Sequence, residues 1–374
     1  MHLSARIPRM ANVEPFIARI SGDAESPDDE ARLVLKAVPD STDKLRRVLC
    51  FRIPGLSEIP VPAELEYLKP GDIVRVNARA GEIRVLYRLN SPHNTLFFTE
   101  RCNSRCLMCS QPPRAVDDGY LVQEILAAIP LMSGSTREIC ITGGEPTLLG
   151  EKFFEVIEAT KQWLPETALH ILSNGRLFSL GFAQRIAAIG HPDLMIGIPL
   201  YSDVASKHDF VVQAKGAFDE TVRGLLNLGR CMQKVEIRFV IHNQTFGRLP
   251  QTARFIARNL PFVQQVALMG LEMTGFTKTN LEALWIDSVN YQSQLLAAVK
   301  ELDQLHIDVM IYNHQLCLIP RELWRFTHKS ISDWKNIYLP ECQQCVVKEK
   351  CGGFFASAGV RHSSHIRAIA DVLS

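Results

Sequence analysis

The sequence predicts an α/β protein, and three observations carry that reading. From about residue 93 short apolar strand patterns alternate with longer amphipathic helical ones, as parallel βαβ units do. Polar or glycine-rich segments follow those strands one after another. The first ninety residues keep a different, strand-rich rhythm with Gly and Pro between the runs.

The chain therefore divides into three parts: a small β-rich domain over 1–91, a βα region over 92–312 and a Cys-rich extension over 313–374. In the first part RVLCFRI (47–53), DIVRVNAR (72–79) and EIRVLYRL (82–89) alternate apolar and polar residues. KPGD (69–72) and RAGE (79–82) read as turns, and SGDAESPDDE (21–30) as a solvated acidic loop. In the second part the strands are NTLFFT (94–99), EICIT (138–142), ALHILS (168–173), LMIGIPL (194–200), VEIRFVI (235–241) and VQQVALMG (263–270). The helices between them are LVQEILAAI, EKFFEVIEATKQWL, FAQRIAAI, AFDETVRGLLNLG and TARFIARNL, and a further pair, SQLLAAVKELDQ then HIDVMIY, completes the series. Six or so such units fit a complete or partial (β/α) barrel or a doubly wound sheet.

Composition narrows the function. An apolar fraction of 47% is enough for a sizeable core and excludes a disordered chain. With 41 Lys+Arg against 40 Asp+Glu, no nucleic-acid surface is built on net charge. No run approaches the ~18 uncharged apolar residues of a membrane span, and the N-terminus lacks the apolar centre of a signal peptide. The expectation is a cytoplasmic protein with neither nucleic acid nor membrane as partner. Ten cysteines in such a reducing compartment point to metal or redox chemistry more than to disulfides.

Their positions sharpen the point. Cys50, Cys140 and Cys231 stand alone in apolar surroundings and read as small core hydrophobes. Cys102, Cys106 and Cys109 form C-x3-C-x2-C directly after the first βα strand. Cys342, Cys345 and Cys351 form C-x2-C-x5-C near the end, with Cys317 upstream as a fourth member. Three clustered thiolates suit a [4Fe–4S] cubane that keeps one iron open, whereas zinc more often takes two C-x2-C pairs. TGGEP (142–146), SNG (173–175), YSD (201–203), HNQ (242–244) and GLEMTG (270–275) follow the next five strands. All six segments share one topological edge, where parallel α/β folds place their sites.

The C-x3-C-x2-C loop after the first strand with GGEP after the second resembles the radical S-adenosylmethionine (SAM) superfamily. The resemblance implies a partial (β/α)6 TIM-like barrel. It further implies a [4Fe–4S] cluster held by Cys102, Cys106 and Cys109, whose open iron chelates SAM, and an external electron donor. Reduction then cleaves SAM to a 5′-deoxyadenosyl radical that abstracts hydrogen from substrate. By position, Gly143, Gly144, Glu145 and Pro146 meet the SAM amino group, with the Glu145 carboxylate as acceptor. Ser173 and Asn174 fall where ribose or the methionyl carboxylate is contacted, and Met269 and Leu271 where adenine packs. Met108 stands where an aromatic residue is common and remains a polarizable adenine contact. Arg238 reads equally as a SAM-carboxylate contact or as half of an ion pair. Tyr201, Asp203 and Glu272 are substrate-contact candidates, Trp285, Trp324 and Trp334 read as packing, and no histidine receives a role.

The set Cys317, Cys342, Cys345 and Cys351 is similar to the SPASM and twitch extensions of radical SAM peptide-modifying enzymes. The position of a further SPASM cysteine is Phe355, which leaves ligands for one auxiliary [4Fe–4S] cluster, with a four-cysteine zinc site as the alternative. RCNSRCLMCSQPPR, NHQLCLIP, SISDWKN and CGGFFAS together resemble the C-type maturases of His-Xaa-Ser systems. That resemblance implies a ribosomally made precursor peptide with His-Xaa-Ser repeats as substrate and a second radical SAM maturase as partner. Two other readings stand beside it. One is radical SAM chemistry on a small molecule or nucleotide precursor; the other is a non-catalytic, zinc-stabilised binding module, which leaves GGEP unexplained.

Overall fold

The computed structural model describes residues 3–9, 13–22, 33–39, 45–51, 58–329 and 337–371. The acidic stretch beyond Gly22 and the SISDWKN segment with Trp334 lie outside the described residues.

The N-terminal strands are β1 (Ser4–Arg6), β2 (Phe16–Ser21), β3 (Leu33–Pro39), β4 (Leu45–Phe51), β5 (Ile59–Pro60), β6 (Ile73–Asn77) and β7 (Glu82–Tyr87). They form one sheet in the order β1-β7-β6-β2-β3-β4-β5. Pairing is antiparallel except between β2 and β3. Alternation in β7 sends Ile83, Val85 and Tyr87 inward. Most of the sheet's buried residues, among them Ile20, Leu49 and Val76, form a core of their own. Ile73 and Tyr87 instead join the larger core of the βα region, and the Tyr87 hydroxyl meets Thr136 Oγ1 at 2.8 Å.

The second sheet holds β8 (Asn94–Phe97), β9 (Glu138–Thr142), β10 (Ala168–Leu172), β11 (Leu194–Pro199), β12 (Lys234–Ile241), β13 (Gln265–Gly270) and β14 (Asp308–Tyr312). Every pairing is parallel and follows chain order. That order decides among the layouts the sequence left open. A sheet with no reversal of strand order, joined by right-handed crossovers, carries its helices on one face. It is therefore a barrel-type sheet, and it stays partial because β8 and β14 end it unpaired with each other. It has seven strands because the final helix–strand pair joins as α9 and β14.

The helices are α1 (Tyr120–Ala128), α2 (Glu151–Trp163), α3 (Leu180–Ile189), α4 (Ala205–Val212), α5 (Ala217–Arg230), α6 (Leu249–Asn259), α7 (Phe276–Thr279), α8 (Leu281–Leu284) and α9 (Gln292–Asp303). Alternate strand residues such as Ile141, Ile171, Ile196 and Ile237 are fully buried in one core with Phe153, Ile157, Leu225 and Leu295 of the helices. Each such side chain contributes roughly 1.5–3 kcal/mol. The opposite, concave face carries Glu138, Cys140, His170, Glu236, Arg238, Met269 and Tyr312. Among the described residues no helix is long and apolar enough to cross a membrane.

Candidate active site

The cysteine loop begins where β8 ends. Asp118, 2% exposed, accepts hydrogen bonds from Thr99 Oγ1 at 2.7 Å and from the Glu100 N–H at 2.6 Å. This fixes the start of the loop before Cys102. Farther along, the Arg105 and Leu107 N–H groups donate to the carbonyls of Val212 and Val211 at the end of α4. The Cys109 carbonyl accepts from Phe276 at the start of α7. The loop is thus held from three sides.

GGEP lies directly against it. The Gly144 and Glu145 N–H groups donate to the carbonyls of Thr99 and Arg101 at 2.6 and 2.8 Å. A Cβ on Gly144 would lie 2.1 Å from the Arg101 carbonyl oxygen, so only glycine permits this approach. Gly275 does the same from the other side. Its φ is +52°, and a Cβ there would lie 2.2 Å from the Cys109 carbonyl oxygen.

The Glu145 side chain is fully enclosed and bonded to its neighbours. It is 0% exposed, and its carboxylate accepts from Thr147 N–H, Thr147 Oγ1, Ser173 Oγ and Asn174 N–H at 2.5–3.0 Å. Burial pushes its carboxyl upward, and these hydrogen bonds oppose the shift. The side chain therefore ties GGEP to SNG. Ser173 is committed to the same bond, while Asn174 reaches back to Asn103 Oδ1 at 2.5 Å and to Cys102 Sγ at 3.9 Å. Pro146 starts the short turn that Glu145 caps.

Cys109 is close enough to raise the proton affinity of Cys102 and Cys106. Burial pushes Cys102 and Cys109 upward and Cys106 up to about 12, with the neighbouring thiols adding to Cys102 and Cys106. Met108 is 8% exposed and packs beside Cys106 in an apolar group with Tyr201, Leu284, Val240 and Leu271. Met108 and Leu271 belong to the same apolar group. Met269 is on the concave face, where Arg238 Nη2 meets its sulfur at 3.3 Å. Arg238 also forms the ion pair that was one of its two readings, with Glu236 Oε1 at 2.5 Å. Asp203, a substrate-contact candidate, is instead gripped by Arg248 at 2.8 and 2.5 Å. Trp324 donates to Leu316 O at 3.1 Å, as a packing residue does.

Sequence reasoning missed Asp118, Arg176 and Gly275. Arg176 pairs with Glu220 at 2.6 Å and donates to the Asn103 carbonyl and to Ser104 Oγ, closing the loop onto SNG and α5. Its position directly after SNG was the available signal.

The four C-terminal cysteines line one cavity with Tyr338, Val347, Phe354, Arg367 and Ile369. The Ile369 N–H donates to Cys345 Sγ at 3.5 Å, and Tyr338 Oη to the Cys351 carbonyl at 3.0 Å. Among the described residues no three His, Cys, Asp or Glu side chains are set around a single-ion point. A second cleft adjoins this cavity. The β13 end (Gly270, Leu271, Glu272, Met273) and Trp285–Ser288 form one wall, and Gly352–Phe355 with Arg361–Ser363 the other.

Residues 96–256 match the family described as the Radical SAM superfamily. That stretch, under half of the chain, is similar to a radical SAM domain. A curated relative, Fe-coproporphyrin III synthase of Methanosarcina barkeri, is 28% identical over 164 residues, which is 41% of this chain and 37% of that protein. The chain therefore spans well under two thirds of that relative. Among solved structures, Streptococcus suis SuiB aligns with a TM-score of 0.48 at 15% identity, covering 63% of this chain and 51% of that one. HydG, a maturase of the [FeFe]-hydrogenase, aligns at 0.44 with 8% identity over 60% of this chain and 52% of its own.

The family implies a [4Fe–4S] cluster and SAM. The residues present fit them: the neighbouring thiols of the loop would supply the ligands of a site-open cubane.

Proposed function

We propose that this chain is a radical SAM enzyme that modifies a ribosomally made precursor peptide of the His-Xaa-Ser type. The observation that carries the reading is the meeting, at one strand edge, of the three-cysteine loop, GGEP and SNG, next to a cleft and a four-cysteine cavity. When bound, the cluster and SAM supply a strongly oxidising carbon radical from an external electron. The chain's own residues hold and orient. Cys102, Cys106 and Cys109 bind three irons, the Gly143–Gly144 backbone receives the SAM amino group, Asn174 the ribose or carboxylate edge, and Met108 and Leu271 cover adenine. Cys317, Cys342, Cys345 and Cys351 hold an auxiliary cluster, for which bound zinc is the competing occupant.

A small-molecule substrate is the second reading, favoured by the match to Fe-coproporphyrin III synthase. The charges of the cleft speak against a porphyrin polycarboxylate. Its one arginine, Arg361, is already bound to Glu282 at 2.9 Å and stacked on Trp285 at 4.1 Å. Co-expression with a His-Xaa-Ser repeat peptide decides between them. A mass change on the peptide supports maturation; an unchanged peptide under conditions of SAM turnover supports the small molecule.

A further inference from the structure

We infer that the cleft between the β13 end and the C-terminal segment is the substrate's side-chain pocket, and that Glu272 selects a cationic side chain there. The inference rests on the peptide reading above and deepens it. Glu272 lines the cleft two residues beyond Gly270, in the segment whose Leu271 lies among the residues around Met108 and Cys106. Glu272 thus belongs to the strand-end segment that runs on to Gly275 and touches the Cys109 carbonyl.

The other ionisable side chains of the cleft are engaged. Arg361 binds Glu282 and Trp285. Asp287 Oδ1 accepts the Val289 N–H at 3.2 Å and caps the turn that follows. His362 Nδ1 is bonded to the Ala358 carbonyl at 3.1 Å. Among the described residues the Glu272 carboxylate has no hydrogen bond or ion pair. Leu271, Met273, Phe354 and Phe355 supply apolar walls.

A carboxylate without a partner beside apolar walls attracts a cation more strongly than it would on an open surface, because less water screens it. Imidazolium, ammonium and guanidinium groups are the chemistry that fits. In a His-Xaa-Ser repeat peptide the imidazolium is the group that supplies it, and a nearby carboxylate favours that charged form. An anionic ligand would meet Glu272 with a repulsion that no free cation of the cleft offsets.

The test is a binding titration on the full, reconstituted chain with two synthetic probes at slightly acidic pH. One probe carries His-Ala-Ser repeats; the other has every histidine replaced by alanine. The wild-type chain binds the histidine probe more tightly. Glu272→Gln weakens that binding about tenfold, as loss of one partly buried ion pair should. It leaves the weaker binding of the alanine probe unchanged, and the two substitutions are non-additive as residues in contact are. Glu272→Asp, which keeps the charge, stays within a few fold of wild type. Equal affinity of wild type and Glu272→Gln for the histidine probe overturns the inference and leaves the peptide reading standing. Failure of the wild-type chain to bind either probe overturns both.

Discussion

The two cysteine groups of this chain are positioned by different means. Cys102, Cys106 and Cys109 sit within eight residues of one another, yet the contacts that hold them come from all over the fold: Asp118, the GGEP backbone, Arg176 and the end of α4. Cys317, Cys342, Cys345 and Cys351 are spread over 35 residues, and beyond the β14 end they are held by short turns, a two-residue bridge of Ile337 with Phe354, and Tyr338. The first group is built into a sheet edge. Among the described residues the second is gathered by short turns and not by a sheet edge.

That contrast predicts how each group breaks. Cys106→Ala is expected to abolish SAM cleavage to background, read as 5′-deoxyadenosine released under a strong reductant. Cys345→Ala should lose as much iron while leaving that cleavage measurable; loss of cleavage in both variants would erase the distinction. Gly144→Ala is next, because its Cβ collides with the Arg101 carbonyl. SAM cleavage should fall on the order of a hundredfold, as a displacement of about 1 Å at a reacting centre can cause, with an unaltered circular dichroism spectrum.

Glu145→Ala leaves the donors of Thr147, Ser173 and Asn174 unpaired in a fully buried place. It should cost about 2–5 kcal/mol of stability by denaturant titration of the iron-free chain, far more than a substitution at Cys345 in that same form. Arg176→Ala should cost about 1–3 kcal/mol and hasten iron loss from the first group alone, with lysine failing to restore it because one ammonium cannot replace the planar fork.

The smallest effect is a pH dependence. Burial lowers His208 and His314 to about 4 and His242 to about 3, against 6.5 when exposed. These rings are neutral in the fold, so their contribution is complete above pH 6.5 and is lost as pH falls toward 4. The slope approaches about 1.4 kcal/mol per pH unit for each ring, opposed by Glu145 and Glu124, whose carboxyls burial raises. His314 is hydrogen-bonded to Tyr291 at 2.9 Å. Its replacement by phenylalanine should flatten the dependence, measured as the unfolding midpoint from pH 6.5 to 5.

Much of this arrangement was legible in the sequence. The strands from β8 to β14 were readable because strands buried between helices and an inner face are short apolar runs bounded by Gly and polar residues. The N-terminal sheet was read only in part. β1 and β5 are two or three residues long, and β2 and β3 carry a weaker alternation. Helix α4, ASKHDFVV, was missed because its start is polar and only its end is apolar, although that end backs the cysteine loop. Motif order placed GGEP and SNG correctly at one edge. It did not show that Glu145 and Ser173 bind each other, because their partnership spans 28 residues and depends on register between β9 and β10. Arg176 reaches Ser104 across 72 residues, a pairing that no local pattern announces.

The central claim is that the first cysteine group holds a SAM-cleaving cluster and the second an auxiliary one. Iron, sulfide and zinc counted after anaerobic reconstitution, with 5′-deoxyadenosine measured on the same sample, test it most directly. About eight irons per chain are expected, about four after either Cys106→Ala or Cys345→Ala, with SAM cleavage lost only in the former. Stoichiometric zinc with no SAM cleavage by the wild-type chain would contradict it.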